Sequence, residues 1–391
     1  MRIFHMGDWH IGKLVNGFYM TEDQEYVLKE LCKQIEDRKP DVLIIAGDLY
    51  DRSVPPIQAV ELLNKYLKII VKELNTKVIA IAGNHDSNER VEFASSLLCD
   101  SGLYIYGNLK KEISKVTLED EYGKVNFYPI PFSDVPVVRE LFQDENIKTY
   151  DIAMARIIEE INKDFNDNER NIAIAHGYIT KISEGNVEEL EESDSEKPLS
   201  IGGTEFINYK HFEKFNYTAL GHLHGPQRVC SEKIRYSGSL MKYSFSEIKQ
   251  KKGITVVDID GKGEVSIEFL EIKQRRDFRE KRGFLQELLK DYKKENNEDY
   301  IRFILKDKGE ILDPMSKLRG IYPNAMEILR EEKILRPNTN EIITEDIKKK
   351  SKVDLFKSFY SEMTEEEASE EEISIIEKVI SKAERGEEYD N

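Results

Sequence analysis

The nine residues "RIFHMGDWH" (Arg2 to His10) form an apolar segment that stops at Gly7, and an acid and an imidazole follow two residues apart. Four later segments end at polar residues in the same way. They are "DVLIIA" before Gly47-Asp48, "KVIAIA" before Gly83-Asn84-His85, "NIAIA" before His176, and "YTAL" before Gly221-His222. Continuous apolar segments of this length predict strands that are covered on both faces.

Two helical patterns lie between these strands. Glu22 to Arg38 and Ile57 to Leu74 both carry apolar residues at helical spacing. Alternating strands and helices predict a layered α/β domain whose strand ends lie along one edge of the sheet. Open α/β sheets bind ligands outside the carboxyl ends of their strands. We therefore expect the functional site where the polar residues follow the strands.

The composition is that of a charge-rich globular protein. The 391 residues predict two or three domains, and 39% of them are hydrophobic and 34% charged. No apolar run approaches the roughly 20 residues of a membrane span. The chain begins directly as a strand, without the sections of a secretory signal, so a cytoplasmic protein is expected. The isolated cysteines Cys32, Cys99 and Cys230 support neither a disulfide framework nor a thiolate zinc site.

The net charge of −17 limits how the protein can meet nucleic acid. Phosphate binding by bulk electrostatics requires a basic surface. A nucleic-acid role therefore has to be local and to depend on bound cations, a few basic residues or a basic partner. The basic segment Lys273 to Arg282 is either such a contact or a solvated linker.

The residues that follow the predicted strands include seven potential metal ligands. Five of the seven histidines of the chain also lie directly after these strands. The ligands are Asp8, His10, Asp48, Asn84, His176, His222 and His224. Mixed carboxylate, amide and imidazole ligands suit Mn²⁺ or Fe²⁺ better than Ca²⁺ or a structural Zn²⁺. Seven ligands are too many for one tetrahedral ion, but they suit two divalent ions, about 3.5–4 Å apart, that share one carboxylate.

In this order, the motifs D-x-H, GDxxD, GNHD, a lone His and GHxH resemble those of the calcineurin-like metallophosphoesterases, which have an α/β layered sandwich fold. The resemblance implies that Asp48 bridges two ions, which we expect to be Mn²⁺, and divides the other ligands between them. One ion is held by Asp8, His10, Asp48 and His224, and the other by Asp48, Asn84, His176 and His222.

The same resemblance implies a catalytic role for His85, which meets the scissile phosphate and assists the leaving oxygen while water activated by the ions attacks in line. Asp51 or Asp86 would orient His85. Arg52 is either a phosphate contact or a surface arginine. Trp9 is either a hydrophobic wall of the loop or a surface on which a base stacks, and both alternatives stay open here.

Three further segments are similar to the SbcD nuclease subunits of bacterial SbcCD complexes: "SEKPLSIGGTEFI" (Ser195 to Ile207), "ALGHLHGPQ" and "YSGSLMKYSFSE" (Tyr236 to Glu247). The similarity implies a phosphoesterase nuclease domain over residues 1–272 and a small α+β capping domain over 273–336 that positions DNA. A linker and C-terminal helices over 337–391 would dock an SbcC-like coiled-coil ATPase.

The implied activity is a manganese-dependent double-strand 3′–5′ exonuclease and single-strand or hairpin endonuclease. Such a protein acts in DNA repair, recombination and replication, as a homodimer within a heterotetramer regulated by ATP. From the residues alone, the C-terminal region shows two amphipathic patterns after Val353, and a capping box at Ser369 to Glu372 marks the start of the second. Two short helices cannot form a core alone, so their apolar faces are expected to dock.

Two other functions stay open. A phosphodiesterase or phosphatase for small molecules or phosphoproteins uses the same motifs, and the acidic charge favours it. A non-enzymatic scaffold has no physical need for all seven ligands. Outside the site, we expect His5 to be structural, His211 to lie on a surface helix, and Asn186 to Pro198 to form a surface loop.

Overall fold

The computed structural model describes residues 1–183, 186–196, 199, 205–290, 298–309 and 311–331, together with Phe356, Lys357, Tyr360, Ser369 and Ile373. The chain divides into two compact units. The first comprises residues 1–281, 286–303 and 311–328, and the second comprises 282–285, 304–310 and 329–391. In the second unit, the Leu285 amide donates a 2.7 Å hydrogen bond to Asp307. The predicted C-terminal helices lie almost entirely outside the described residues.

The first unit contains two six-stranded sheets. In the first sheet the strands pair in the order Val265–Glu271, Gly253–Ile259, Arg2–Met6, Val42–Ala46, Lys77–Ile81 and Leu103–Tyr106. In the second sheet the order is Gln227–Val229, Ser231–Tyr236, Tyr217–Gly221, Arg170–His176, Gly123–Ile130 and Val116–Asp120. The last four strands of the first sheet are parallel, as are the middle four of the second.

The other described strands form smaller sheets. A three-stranded sheet pairs Phe278–Gly283, Tyr300–Leu305 and Ala325–Arg330, and two-stranded pairs join Leu14–Val15 to Phe18–Tyr19, Tyr178–Thr180 to Phe206–Asn208, and Ile182–Ser183 to Asn186–Val187.

The longer helices are Thr21–Arg38, Ile57–Lys68, Val135–Phe142 and Tyr150–Asn162, and a π-helical turn, Ile69–Glu73, extends the second. Shorter α-helices are Asn88–Glu92, Ser95–Leu98, Leu285–Leu288 and Pro314–Arg319, with 3-10 turns at Cys99–Ser101, Tyr209–Phe212 and Phe245–Glu247. In the described parts of the chain, no helix combines the length and apolar character needed to cross a membrane.

The two sheets pack face to face because their central strands carry buried residues on both faces. Ile3, Val42 and Ile44 of the first sheet share one buried cluster with Ile172 and Ala219 of the second. Their neighbours on the opposite faces pack on helices: those of the first sheet against the two helices between residues 21 and 68, and those of the second against the helices between residues 135 and 162. The layered α/β sandwich predicted from the sequence is confirmed.

One detail of the expected arrangement is wrong. The five strands that are followed by candidate ligands do not lie in one sheet. Arg2–Met6, Val42–Ala46 and Lys77–Ile81 belong to the first sheet, whereas Arg170–His176 and Tyr217–Gly221 belong to the second. Continuous apolar strands indicate coverage on both faces, but they do not reveal whether helices or another sheet provide it. The ligands therefore converge from two packed sheets.

Candidate metal centre

The site lies where the carboxyl ends of the two sheets meet. The Asp8 carboxylate, which follows a strand of the first sheet, accepts a 2.9 Å hydrogen bond from the backbone N–H of His222, which follows a strand of the second. The backbone N–H of His85 donates to Asp48 Oδ1 at 2.8 Å. These bonds join the loops after four strands, so the sheets position the ligands jointly.

The first group of ligand atoms comes from Asp8, His10 and His224, which lie within 4.8 Å of one another and are buried. The Nε2 atoms of His10 and His224 are 3.0 Å apart, and His10 Nε2 lies 3.6 Å from Asp48 Oδ2. Two nitrogens bound at right angles, each about 2.1 Å from one ion, would also be about 3.0 Å apart. The spacing therefore fits shared coordination of one cation.

The second group contains Asp8, Asp48 and His176, again within 4.8 Å of one another. His176 Nε2 lies 2.9 Å from Asn84 Oδ1 and 3.5 Å from Asp48 Oδ2. Its Nδ1–H donates to the Ala46 carbonyl at 2.9 Å, which leaves Nε2 facing the site. The same Asp48 oxygen thus lies near the imidazoles of both groups.

The His222 ring borders the second group, with its centroid 5.5 Å from that of His176. The structure therefore brings all seven predicted ligands to one buried or nearly buried centre.

Unusual backbone conformations produce this convergence. Asp8, His10, Asp48 and His222 have φ angles of 52°, 44°, 51° and 107°, a region that L-residues rarely adopt. Such strain persists where the surrounding structure fixes the backbone, and it concentrates at functional sites. Gly47 has a φ of 94°, and a Cβ there would lie 2.2 Å from His176 Nδ1. The glycine before Asp48 is therefore required by both conformation and space.

The electrostatics of the site favour a cation. Burial, together with the charge of Asp48, raises the pKa of Asp8 well above its usual range. Burial lowers the pKa of His10 and of His222 well below the usual value and also lowers that of His176 and His224, so these imidazoles are neutral, as metal ligation requires. A divalent ion would compensate the buried carboxylates.

The donor set fits a dinuclear site. Asp8 Oδ2 is buried and has no hydrogen-bond partner within the described chain. An oxygen left in this state carries a desolvation cost that a bound cation removes. Three carboxylate or amide oxygens and four neutral imidazoles are also suitable for borderline divalent ions.

His85 lies at the rim of this centre, partly exposed. Its Nδ1–H donates to the backbone carbonyl of Asp51 at 2.8 Å, which leaves Nε2 available to a bound molecule. Its ring centroid is 4.7 Å from that of His10. The ring is therefore oriented by a carbonyl group, and neither of the two predicted carboxylates performs this task.

The expectation that Asp86 orients His85 is not supported by its contacts. The buried Asp86 carboxylate accepts hydrogen bonds from the backbone N–H groups of Leu49, Tyr50 and Gly83, at 2.9–3.0 Å. Burial, with a further contribution from Asp48, raises its pKa to about 7. Asp86 therefore ties together the loops that carry Asp48 and Asn84.

The Asp51 carboxylate has a different partner. Asp51 Oδ1 lies 2.8 Å from Lys13 Nζ, and the exposed Arg52 side chain lies 3.5 Å from Asp51 Oδ2. His10, Asp51 and His85 also form a group within 4.8 Å, but the Lys13 ammonium already provides its positive charge. The exposure of Arg52 leaves its guanidinium accessible to a phosphate.

Trp9 is fully buried and belongs to the core cluster between the first sheet and its helices. No face of the indole is open to solvent, which is incompatible with a free stacking surface for a base. The packing alternative is therefore retained. His5 is likewise structural, because its ring is buried and meets the Tyr217 hydroxyl at 2.8 Å and the Leu220 carbonyl at 3.2 Å.

Two polar residues that sequence reasoning missed hold the loop around Trp9. The Gln24 amide donates to the His10 carbonyl at 2.8 Å and accepts from the Gly12 N–H at 3.0 Å. The Tyr243 hydroxyl donates to the Trp9 carbonyl at 2.5 Å. A polar residue on the buried stripe of the Thr21–Arg38 helix was the available signal for Gln24.

The acidic segment after Asn186 is more than the expected surface loop. Ser195 Oγ lies 2.7 Å from His224 Nδ1, and the Glu196 carboxylate accepts from the His224 N–H at 2.6 Å. Burial raises the pKa of Glu196 to about 7. The end of this segment therefore contacts a predicted metal ligand directly.

The basic segment from Lys273 to Arg282 is not a solvated linker. Residues 278–283 form a strand. Arg276 Nη1 and the Tyr300 hydroxyl both donate to Asp23, each at 2.7 Å, and the Asp23 side chain is fully buried. Arg275 pairs with Glu22, and Arg279 pairs with Asp299. Much of the positive charge is thus neutralised within the chain.

With this geometry established, comparison with known proteins defines the class. The sequence profile of the calcineurin-like phosphoesterase family matches residues 1–226, more than half of the chain. The protein therefore belongs to the calcineurin-like phosphoesterases, a family of metal-dependent enzymes with dinuclear sites.

Within this class, the chain is similar to the SbcD subunit of the nuclease SbcCD from Staphylococcus epidermidis. The two are 34% identical over 382 residues, which cover 97% of this chain and 98% of that relative. A second profile, described as the type 5 capsule protein repressor C-terminal domain, matches residues 274–364. The similarity to SbcD subunits predicted from the sequence is confirmed.

Two solved structures show weaker similarity. A dimetal phosphatase from Danio rerio is 10% identical, with a TM-score of 0.38 over 66% of this chain and 92% of that one. A protein of Thermus thermophilus is 11% identical, with a TM-score of 0.38 over 68% of this chain and 98% of that one. Similarities at this level carry no functional information.

Proposed function

We propose that this protein is the nuclease subunit of an SbcCD-type complex and hydrolyses DNA phosphodiester bonds with two divalent ions, in the cytoplasm. The observation that carries the proposal is the convergence of seven ligands from two sheets on one centre, with Asp48 Oδ2 within 3.6 Å of imidazoles in both groups. The staphylococcal SbcD relative, which is similar over nearly the whole chain and belongs to a nuclease, supports DNA as the substrate.

We assign Asp8, His10, Asp48 and His224 to one ion and Asp48, Asn84, His176 and His222 to the other, and we propose Mn²⁺ for both. When bound, two such ions supply Lewis acidity and neutralise negative charge on the reacting phosphate. The carboxylate and amide oxygens favour a harder ion than a thiolate site would select.

His85 is proposed to act on the leaving oxygen. Its Nδ1–H is engaged by the Asp51 carbonyl, so the ring is fixed with Nε2 facing the substrate. In the imidazolium form, which carries a proton on both nitrogens, Nε2 can give its proton to the leaving oxygen and return the ring to the neutral form. Arg52, which is exposed at the same rim, is proposed to contact a phosphate of the substrate. Neither Asp86 nor Trp9 has a direct part in this chemistry, because both are buried in structural contacts.

The finer activity that we propose is that of SbcD-like proteins: double-strand 3′–5′ exonuclease and single-strand or hairpin endonuclease in repair, recombination and replication. The proposed domains are 1–272 for catalysis, 273–336 for DNA positioning, and 337–391 for docking an SbcC-like ATPase. The profile match over residues 274–364 supports a distinct C-terminal region.

An exposed apolar surface supports the proposed homodimer. Ile57, Phe93 and Leu97 are 73%, 81% and 78% exposed. Val60 and Phe93 line the same cavity, so the helix Ile57–Lys68 and the segment around Phe93 each contribute an exposed apolar residue to it. Exposed patches of this kind mark interaction sites.

A phosphodiesterase for small molecules is the second candidate, because the net charge is −17 and several arginines of the basic segment are paired internally. The purified protein with Mn²⁺ should degrade linear duplex DNA, and Asp48→Asn should not. Rapid hydrolysis of a small phosphodiester, with no cleavage of duplex, single-stranded or hairpin DNA alone or with its ATPase partner, would contradict the nuclease proposal and favour the second candidate.

A further inference from the structure

The two ring nitrogens of His224 have different environments. Nε2 faces the metal centre, 3.0 Å from His10 Nε2. Nδ1 points away from it, 2.7 Å from Ser195 Oγ and 3.5 Å from Glu247 Oε1. The groups that surround His224 Nδ1 therefore lie outside the seven ligands.

Glu247 lies at the centre of these outer groups and is fully buried. Its Oε1 accepts from the hydroxyls of Ser193 and Ser195, at 2.7 Å and 2.6 Å. Its Oε2 lies 2.6 Å from Nζ of Lys252, which is also buried. A buried carboxylate beside a buried ammonium is ionised, and an ionised carboxylate can only accept hydrogen bonds.

This fixes the direction of the hydrogen-bond chain. The single Ser195 hydroxyl proton goes to Glu247, because the carboxylate has none to give. Ser195 Oγ can then only accept from His224, so His224 Nδ1 carries the proton. The lone pair of Nε2 is left facing the centre. Lys252 also donates to the His224 carbonyl at 2.8 Å, so the backbone is held as well.

We propose that Glu247, acting through Ser195 and balanced by Lys252, is a positioning residue of the metal centre: it sets the tautomer and orientation of His224 in which Nε2 binds metal. The inference rests on the proposed assignment of His224 as a ligand. Metal-binding histidines commonly donate their other ring N–H to such a partner, and loss of the partner weakens metal affinity about 10–100-fold.

The chain of contacts also gives the acidic segment a function. Ser195 Oγ contacts the His224 ring, and the Glu196 carboxylate accepts from the His224 backbone N–H at 2.6 Å. Both the side chain and the backbone of His224 therefore contact this segment. Ser195 and Glu196 thus hold His224 from the side that faces away from the metal centre.

Two variants of the full-length protein test the contribution of Ser195 and that of the Glu247–Lys252 ion pair separately. Ser195→Ala removes the relay and leaves the buried ion pair in place. Glu247→Gln alone would leave Lys252 as an uncompensated buried charge, which is strongly destabilising, so it is combined with Lys252→Met. The exposed residues Ser266 and Glu36 provide matched controls as Ser266→Ala and Glu36→Gln.

Mn²⁺ binding to each metal-free protein is measured by calorimetry, with circular dichroism to verify folding. Ser195→Ala and the double variant should weaken one of two Mn²⁺ affinities about 10–100-fold and leave the other near wild type. The control variants should bind like wild type. Folded variants with both affinities unchanged would overturn the proposal.

The tautomer is read independently by NMR of selectively ¹⁵N-histidine-labelled protein, since the chain has only seven histidines. In the metal-free wild type, His224 should be protonated at Nδ1, and Ser195→Ala should weaken or shift that signal. A wild-type His224 protonated only at Nε2 would overturn the inference, even if the double variant fails to fold.

His224→Ala distinguishes this inference from the underlying assignment. If His224→Ala leaves both Mn²⁺ affinities unchanged, the assignment of His224 as a ligand is wrong. If it removes one ion while Ser195→Ala and the double variant bind like wild type, only the positioning role of Glu247 is wrong.

Discussion

His10 and His224, which are 214 residues apart in the chain, place their Nε2 atoms 3.0 Å from each other in a buried centre. His10 follows a strand of the first sheet and His224 follows a strand of the second. Packing of the two sheets therefore creates the site, and the site depends on the loops that join their ends.

His85→Ala should remove catalysis and retain metal. Its Nδ1 is occupied by the Asp51 carbonyl, and it is absent from the seven assigned ligands. We expect turnover of DNA or of a simple phosphodiester to fall roughly 10²–10⁴-fold. Metal content, measured by elemental analysis, should stay at the wild-type value.

His211→Ala is the matched control, because His211 lies outside the site and bonds to Asp151 at 2.8 Å. Loss of bound metal in His85→Ala would show that His85 is a ligand and not an acid.

Gly47→Ala should destabilise the centre sterically. A Cβ at Gly47 would lie 2.2 Å from His176 Nδ1, whereas at Gly17, with a similar φ of 85°, nothing lies within 4 Å. Both substitutions carry the backbone cost of a left-handed alanine, about 1–2 kcal/mol. We expect Gly47→Ala to lower the free energy of unfolding, measured with urea, by roughly 1–3 kcal/mol more than Gly17→Ala does. Equal losses would show that His176 is not held against this backbone.

His5 should make the stability of the metal-free protein pH-dependent. Burial lowers the pKa of His5 to about 3, below the usual value of 6.5. Between these values the unfolded chain binds a proton that the folded chain does not, so stability is complete above pH 6.5 and is lost as the pH falls. The loss should reach about 2 kcal/mol at pH 5.

Urea unfolding of wild type and His5→Gln between pH 5 and 8 isolates this contribution. The variant should show a flatter dependence on pH over that interval. Parallel curves for the two proteins would mean that His5 is protonated or accessible in the folded state.

Asp23→Ala should loosen the segment after residue 272. The buried Asp23 carboxylate accepts hydrogen bonds from Arg276 and Tyr300, and its removal leaves both donors without this partner. We expect the free energy of unfolding of the variant to fall by about 2–4 kcal/mol. Proteolysis near residues 273–303 should also become faster. Glu22→Ala, whose side chain is 71% exposed, should have little effect on either. An unchanged cleavage rate in Asp23→Ala would contradict this.

The apolar strands and the polar residues after them predicted the layers and the ligand cluster, because strand ends determine where side chains converge. The sequence could not distinguish coverage by helices from coverage by a second sheet. The contacts of Asp86 were not predicted, because a carboxylate next to a histidine in the sequence looks the same whether it binds an imidazole or three backbone N–H groups.

The outer support of His224 was not predictable for a related reason. Ser195, Glu247 and Lys252 lie in three different segments, and only the packed chain brings Ser195 and the buried Glu247–Lys252 ion pair next to His224. Trp9 shows the converse, since its neighbours Asp8 and His10 suggested a part in binding, but its ring is completely enclosed.

The central claim is that Asp48 is shared by two divalent ions, and Mn²⁺ stoichiometry tests it most directly. Titration of the metal-free protein, followed by electron paramagnetic resonance, should show two bound Mn²⁺ ions with magnetic coupling between them. Asp48→Asn should abolish the coupling and weaken both sites. A wild-type protein that binds one ion, or two ions without coupling and with affinities unaffected by Asp48→Asn, would contradict the claim.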